Sequence, residues 1–233
     1  MFADVMISVI IPTLNEASKV GKLIAFLQHQ SQTVVDIIIA DAGSLDETVK
    51  IAQDTGARVV YSPVQTRAAQ MNLGAQVARG DILYFVHADV IPAESFCEDI
   101  YSAIQSGYEA GCYRFSFDSA HPLLKVNAYC TRYNGIMCRG GDQTLFITKK
   151  LFLTLKGFDE YYTIMEDYDL IRRIRSKALF RIIPKEVIVS ARKYETNGWL
   201  RVQVAHLTVF ILYFLKIHPD RIKLFYRKVL HQR

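Results

Sequence analysis

The sequence predicts an α/β domain, a mostly parallel, doubly wound sheet flanked by helices, with a helical extension at the C-terminus. Three observations lead there. Over the first 90 residues, apolar strand-like runs alternate with amphipathic helical stretches, as in a parallel sheet whose crossovers are helices. Residues 82–86 are apolar throughout, the pattern of a strand buried on both faces, and run without a turn into His87, Ala88 and Asp89. A chain of 233 residues with 51% hydrophobic content can also bury one sizeable core.

The elements follow in order. Residues 7–11 are a short apolar run closed by Pro12, a first strand. Val20, Leu23, Ile24 and Leu27 then fall at i, i+3, i+4 and i+7, an amphipathic helix. Residues 36–40 form a second strand, ending in Asp41-Ala42-Gly43-Ser44-Leu45-Asp46. Ser44 with Glu47 three residues on reads as a capping box for the next helix. Residues 58–61 give a third strand, 68–79 a helix stopped by Gly80, and then comes the strand into Asp89.

Beyond that point the regularity fades. Tyr113, Phe115 and Phe117 alternate with small or polar residues, a strand with one wetter face. Residues 122–137 read as a helix, 139–143 as a turn, and 144–148 as a short strand. Gly157 closes a brief helix, and Glu166-Asp167-Tyr168-Asp169 opens another that reaches about Ser176. A late strand covers 187–191, and a long apolar helix covers 199–215.

Composition excludes several classes. The Gly-x-Gly-x-x-Gly fingerprint and the P-loop are both absent, against a dinucleotide oxidoreductase or an NTPase. Cys97, Cys112, Cys130 and Cys138 form no CxxC pair, so buried free thiols in a reducing cytosol are expected rather than a zinc site or disulfides. Residues 1–6 lack a basic start, and no signal peptide is expected. Residues 216–233 hold six Lys/Arg and one Asp, which accounts for the whole net charge of +5. A basic tail on a neutral body favours an anionic surface as neighbour over a nucleic-acid groove.

Ligands of open α/β sheets lie outside the carboxyl ends of the strands. The polar clusters expected there are Pro12-Thr13-Leu14-Asn15-Glu16, the Asp41–Asp46 turn, and His87-Ala88-Asp89. Arg67 and Asn72 near a helix start could meet a base edge or a phosphate. Each also has a plain structural reading: Asp41 to Asp46 is ordinary helix-entry chemistry, Arg67 a solvated cation, and Glu166-Asp167 an acidic first turn. Asp142 likewise fits a turn after two glycines.

Taken together these motifs, with Gly141-Asp142-Gln143 and Glu166-Asp167-Tyr168-Asp169, resemble family 2 glycosyltransferases of the GT-A fold, a Rossmann-like sheet. The likeness spans about residues 6 to 195. His-Ala-Asp, Gly-Asp-Gln and Ser190-Ala191-Arg192-Lys193 are similar to a small bacterial subgroup labelled arsenosugar-biosynthesis glycosyltransferases. The resemblance implies a nucleotide-diphosphate-sugar donor, UDP by default, an acceptor hydroxyl, and inversion at the anomeric carbon. It implies nucleotide contacts from Pro12, Leu14, Glu16, Asp41, Arg67, Asn72, His87 and Ala88. Asp89 matches the last carboxylate of the family's Asp-x-Asp motif and would hold Mn²⁺ or Mg²⁺; Asp167 matches the catalytic base. Asp142, Gln143 and Glu166 are candidates for contacting the acceptor or the donor sugar. It also divides the chain into a transferase domain, 1–195, with a nucleotide half to about 90, and an extension, 196–233.

Two departures stand out. His87 replaces the first Asp of Asp-x-Asp, so it would ligate the metal, contact ribose, or simply pack. The Gln-x-x-Arg-Trp motif of processive synthases is missing, which favours transfer of a single sugar. Residues 207–215 are too short to span a bilayer. They are expected to pack against the protein or a second subunit. The alternative is a membrane surface through 199–233, on the inner face of a cytoplasmic membrane. The rival functions are a non-catalytic nucleotide-sugar-binding or membrane-docking module and, more remotely, a sugar-nucleotide pyrophosphorylase.

Overall fold

The computed structural model describes residues 5–30 and 35–230. Its leading half is the alternation the sequence predicts: β1 (Ile7–Thr13), α1 (Ala17–Gln30), β2 (Val35–Asp41), α2 (Thr48–Asp54), β3 (Arg58–Tyr61), α3 (Arg67–Val77) and β4 (Ile82–Phe85). These strands pair in parallel, in the order β3-β2-β1-β4. The second half adds β5 (Val90–Ile91), α4 (Phe96–Gln105), β6 (Ala110–Phe117), α5 (Pro122–Cys130), β7 (Leu145–Thr148) and α6 (Lys149–Thr154). It ends with α7 (Glu166–Arg175), β8 (Phe180–Val189), α8 (Arg192–Asn197), α9 (Trp199–Phe214) and α10 (Pro219–Val229). Strand β7 enters antiparallel between β4 and β6, so one mixed sheet runs β3-β2-β1-β4-β7-β6-β8-β5.

Side chains alternate across the strands, so β1 feeds two cores. Val9 and Ile11 join Ile39, Tyr84 and the α1 residues Val20, Leu23, Ile24 and Leu27, with Phe96 and Ile100 of α4. Ile10 joins Ile38, Leu83 and Phe85 on the other face, under Met71 of α3 and Leu170, Ile171 and Ile174 of α7. Every residue of β1 is buried, as a central strand covered on both sides requires.

At the amino end of the sheet a buried carboxylate ties three strands. Asp36 accepts a fork from Arg58, Nε at 3.1 Å and Nη2 at 2.9 Å, and also the Ser8 hydroxyl and the Arg79 amide. This network lies at the strand ends opposite the expected site, and its role is structural.

Several expectations are corrected. Ser44 and Glu47 make no capping box: the Ser44 hydroxyl bonds Asp41, while Asp46 accepts from the amides of Thr48 and Ala17. One carboxylate thus serves the starts of α2 and α1. The helix expected over 122–137 stops at Cys130, followed by turns and a 3-10 turn at Ile136–Cys138. The late strand begins at Phe180 instead of 187; Pro184 disguised it. The register steps between Tyr113/Ile183 and Arg114/Glu186, so the proline falls in an irregularity where no ladder N–H is needed. Helix α4 was not anticipated. The leader reading for residues 1–6 rests partly on residues outside those described, as does the tail cation Arg233.

Candidate active site

A crevice of about 610 Å³ opens beyond the carboxyl ends of β1, β4 and β8. Gln70, buried in α3, braces its floor by donating to the carbonyls of Thr13 at 2.8 Å and Ala40 at 2.7 Å. Pro12, Leu14 and Glu16 line one side, and His87, Ala88 and Asp89 the floor after β4. Arg67 enters from the first turn of α3, whose N-cap Thr66 accepts from the Ala69 amide. Asp142 and Glu166 reach the same crevice from the second half of the chain.

The field at Arg67 explains why a cation stands at a helix start. Burial would lower its pKa, but Glu166, Asp142, Asp167 and Asp89 together raise it. His87 is buried; that burial and the charge of Arg67 lower it to about 4, so it is neutral at pH 7. Burial acts to raise Asp142, but Lys193, His87, Arg67 and His206 hold it below the ordinary carboxylate range.

Asp167, the residue after Glu166, is 9% exposed and, unlike Glu166, does not itself line the crevice. Burial and the adjacent Glu166 push it up to about 8, against the pull of Arg67. This overturns the expectation that the helix dipole keeps it readily ionised: loss of solvent outweighs a terminal dipole. No described cation lies within ion-pair distance of its carboxylate. Asp169, two residues on, differs. It pairs with Arg173 at 2.7 Å and Arg172 at 2.9 Å, and Arg173 also donates to the carbonyls of Leu155 and Gly157.

The turn into α7 is strained. Met165 has φ +70°, a left-handed conformation that a side chain rarely adopts. Met165 is held by Val209 and Phe210 of α9 and Ile222 of α10, and the Tyr168 ring meets Phe210 edge-on at 4.7 Å. The C-terminal hairpin therefore fixes the backbone carrying Glu166 and Asp167, and residues 199–230 belong to the site rather than to a detached extension. Lys223, Tyr226, Arg227 and Leu230 complete the crevice wall. They were missed as site residues because nothing in a basic amphipathic segment says which way it folds back. Arg192 and Lys193, seen only through the resemblance, also line the wall.

Three expected contacts fall elsewhere. Asp41 is 1% exposed; its oxygens accept from Thr13, the Ser44 hydroxyl and the amides of Gly43 and Ser44, so it holds its own turn. Asn72, five residues from Arg67, points to another face of α3. Its amide donates to the Phe158 carbonyl and Glu160 and accepts from the Phe158 amide. The neighbouring Gly157 has φ +69°, and a Cβ there would stand 2.6 Å from Asn72 Oδ1. Gln143 is buried against Arg139 and the Cys138 carbonyl.

Asp89 is the open carboxylate on the floor, its side chain 37% exposed, with Lys19 Nζ at 4.0 Å. Among the described residues no group of three or more His, Cys, Asp or Glu closes on one point. A protein-only metal cage is thus not formed there. One free carboxylate beside a neutral imidazole suits a hard cation that takes its other oxygens from a diphosphate and water.

The family model for glycosyl transferase family 2 matches residues 8–173. The chain belongs to that family. An uncharacterized glycosyltransferase of Haemophilus influenzae is 24% identical over 188 residues, 75% of this chain and 64% of the relative. A 4,4'-diaponeurosporenoate glycosyltransferase of Staphylococcus haemolyticus is 36% identical over 153 residues, 62% of this chain and 40% of the relative. With GlyG of Streptococcus pneumoniae, of which 35% is covered, the chain spans about a third to two thirds of these relatives. Among solved structures, Staphylococcus aureus TarS 1-349 has TM-score 0.68 at 14% identity, covering 97% of this chain and 71% of that one. Glucosyl-3-phosphoglycerate synthase of Mycobacterium tuberculosis, with Mg²⁺ and UDP, has TM-score 0.59 at 19% identity, covering 88% and 79%. These structures share the GT-A fold with this chain.

Proposed function

We propose that this family 2 domain moves one sugar from a nucleoside diphosphate sugar, with UDP favoured, to an acceptor hydroxyl, inverting the anomeric carbon. The observation that carries the reading is the convergence on one crevice of Asp89, open and unshared but for Lys19, and Glu166 at the start of α7, with the buried Asp167 next to it in the chain. Asp167 takes the hydroxyl proton as the acceptor oxygen bonds to the anomeric carbon; the bond from that carbon to the diphosphate breaks, and the nucleoside diphosphate leaves with the electron pair. A positioned base of this kind contributes ~10²–10⁴ in rate. Its pKa near 8 keeps it a strong proton acceptor once ionised, and Arg67 steadies the ionised form.

Asp89 would hold Mn²⁺ or Mg²⁺, with His87 beside it; such an ion neutralises charge on the departing diphosphate. The Mycobacterium synthase binds Mg²⁺ and UDP by its description, which supports the same pairing here. Pro12, Leu14, Glu16 and Arg67, which line the crevice, would contact the nucleotide. Lack of a Gln-x-x-Arg-Trp motif supports single transfer over polymerisation.

The test is incubation with UDP-sugars, Mn²⁺ and a panel of acceptors, following nucleotide release and the product anomer by NMR. Release of pyrophosphate would identify a pyrophosphorylase. A donor bound but never consumed would identify a binding module.

We further propose that the outer face of α9 rests on an anionic membrane surface. Leu200, Val204, Leu207, Ile211 and Phe214 are all at least half exposed, although α10 covers the opposite side of the helix. No Asp or Glu occurs between residues 199 and 219, whereas Arg201 and Lys216 do. Pairing this face with a second copy would bring like charges together; an anionic bilayer complements them. No described helix is long and apolar enough to cross a membrane. Cys112, Cys130 and Cys138 form no disulfide among the described residues, which fits a cytoplasmic side. Co-sedimentation with anionic vesicles, lost in Val204→Glu/Ile211→Glu, is the expected result; a dimer by light scattering with no vesicle binding would overturn it.

A further inference from the structure

The wall that the C-terminal quarter adds to the crevice is cationic. Arg192 and Lys193 come from α8, and Lys223 and Arg227, four apart on one face, from α10. Among the described residues none of the four has a carboxylate within 4 Å. Lys193 is held over the Tyr226 ring at 5.9 Å, and the Tyr226 hydroxyl is 3.0 Å from His206 Nε2. The Tyr226 ring and the charge of Asp142 together hold that lysine in its charged form.

Asp142 offsets the charge of Lys193, whereas the half-buried Lys223 and the exposed Arg192 and Arg227 leave net positive charge along a concave wall, which attracts an anion. Lys223 feels that charge: burial and Arg227 lower it, with only Asp220 and Glu166 opposing. Its charged neighbours also locate it. They are Arg227, Asp220, Glu166 and Arg67; Glu166 belongs to the first turn of α7, whereas the diphosphate is proposed beside Asp89, His87 and Lys19. The crevice thus has a second place for negative charge, beside the group that takes the acceptor's proton.

We propose that Lys223 and Arg227, with Arg192, bind an anionic group of the acceptor, a phosphate ester or a carboxylate. The acceptor is then an acidic molecule and not a neutral sugar. This rests on the transferase reading above, which supplies the donor end of the crevice. The same phosphate chemistry arises on a soluble ester or on a lipid headgroup.

The experiment uses full-length protein saturated with UDP and Mn²⁺, into which glycerol phosphate is titrated by calorimetry. The expected result is binding at about 1 mM or tighter, weakened by at least ~10-fold in Lys223→Gln/Arg227→Gln, with UDP affinity changed by less than about 2-fold. Arg221→Gln/Lys228→Gln, on the outer side of α10, should bind glycerol phosphate as wild type does. A parallel arm compares vesicles with and without phosphatidic acid: retention that needs phosphatidic acid, Lys223 and Arg227, without glycerol phosphate binding, assigns the phosphate to a lipid. If UDP displaces glycerol phosphate, or neither probe responds to the double variant, the subsite is wrong. If wild type fails to bind UDP with Mn²⁺, the transferase reading falls instead, and the glycerol phosphate titration still decides the subsite.

Discussion

Lys19 of α1 holds its ammonium 3.5 Å from Glu16 and 4.0 Å from Asp89, so the free carboxylate on the crevice floor already faces a positive charge. The nitrogen is buried and makes no hydrogen bond among the described residues. It is oriented by charge alone, near the place proposed for a divalent ion.

Lys19→Met is therefore expected to tighten Mn²⁺ binding to the nucleotide-free protein by about 10-fold, ~1.4 kcal/mol, because the ion no longer competes with a built-in cation. UDP affinity should fall in the same variant as its diphosphate loses that charge. Calorimetry with Mn²⁺ alone and with Mn²⁺ plus UDP separates the two; unchanged values in both would remove Lys19 from the site.

Asp167→Asn should lower turnover by ~10²–10⁴ while donor binding persists. Unchanged turnover would take Asp167 out of the mechanism.

The same substitution should stabilise the fold. The native pKa of Asp167 is raised from 3.8 to about 8, so between these values the native state holds a proton that the unfolded state has released. Stability from this group is then present at low pH and is lost as pH rises from about 4 to 8. Asn removes that loss. Its gain in Tm should be near zero at pH 4, grow up to pH 8 and level off above; a pH-independent difference would refute the shift.

The rate should follow the same group. As Asp167 must be ionised to accept a proton, kcat/KM is expected to rise with pH through about 8, the value for the free enzyme. In Asp167→Asn the rising limb should vanish from the residual rate.

Asn72→Ala should behave as a structural variant. It strips both backbone bonds to Phe158 and leaves a buried turn unpaired, costing about 1–3 kcal/mol by denaturant unfolding. UDP affinity should hardly change, in contrast to Arg67→Ala.

Legibility differed between the halves of the chain. In the first 90 residues strands and helices alternate regularly, β1, β2 and β3 lie side by side and β4 returns beside β1, so local pattern suffices: Val9 and Ile11 point to one core and Ile10 to the other simply by alternation. In the second half Pro184 interrupts the pattern of β8, and β7 joins antiparallel between strands distant in sequence. Partners that far apart leave no periodic trace.

The candidate site divides along the same line. Strand-end position together with the family resemblance pointed to Pro12, Leu14, Glu16, Arg67, His87, Ala88, Asp89, Asp142 and Glu166, which line one crevice. They could not tell Asp41, spent on its own turn, or Asn72, spent on the distant Phe158 backbone, from residues facing solvent.

By itself the sequence determined the family, the parallel half of the sheet and the carboxylates of the crevice, because each is written in short-range pattern. Only the tertiary structure decided that Asp167 is buried enough to hold its proton, and that α10 returns to line the site with Lys223 and Arg227. Burial and the field of distant charges come from residues far apart in sequence, and exist only once the chain has packed.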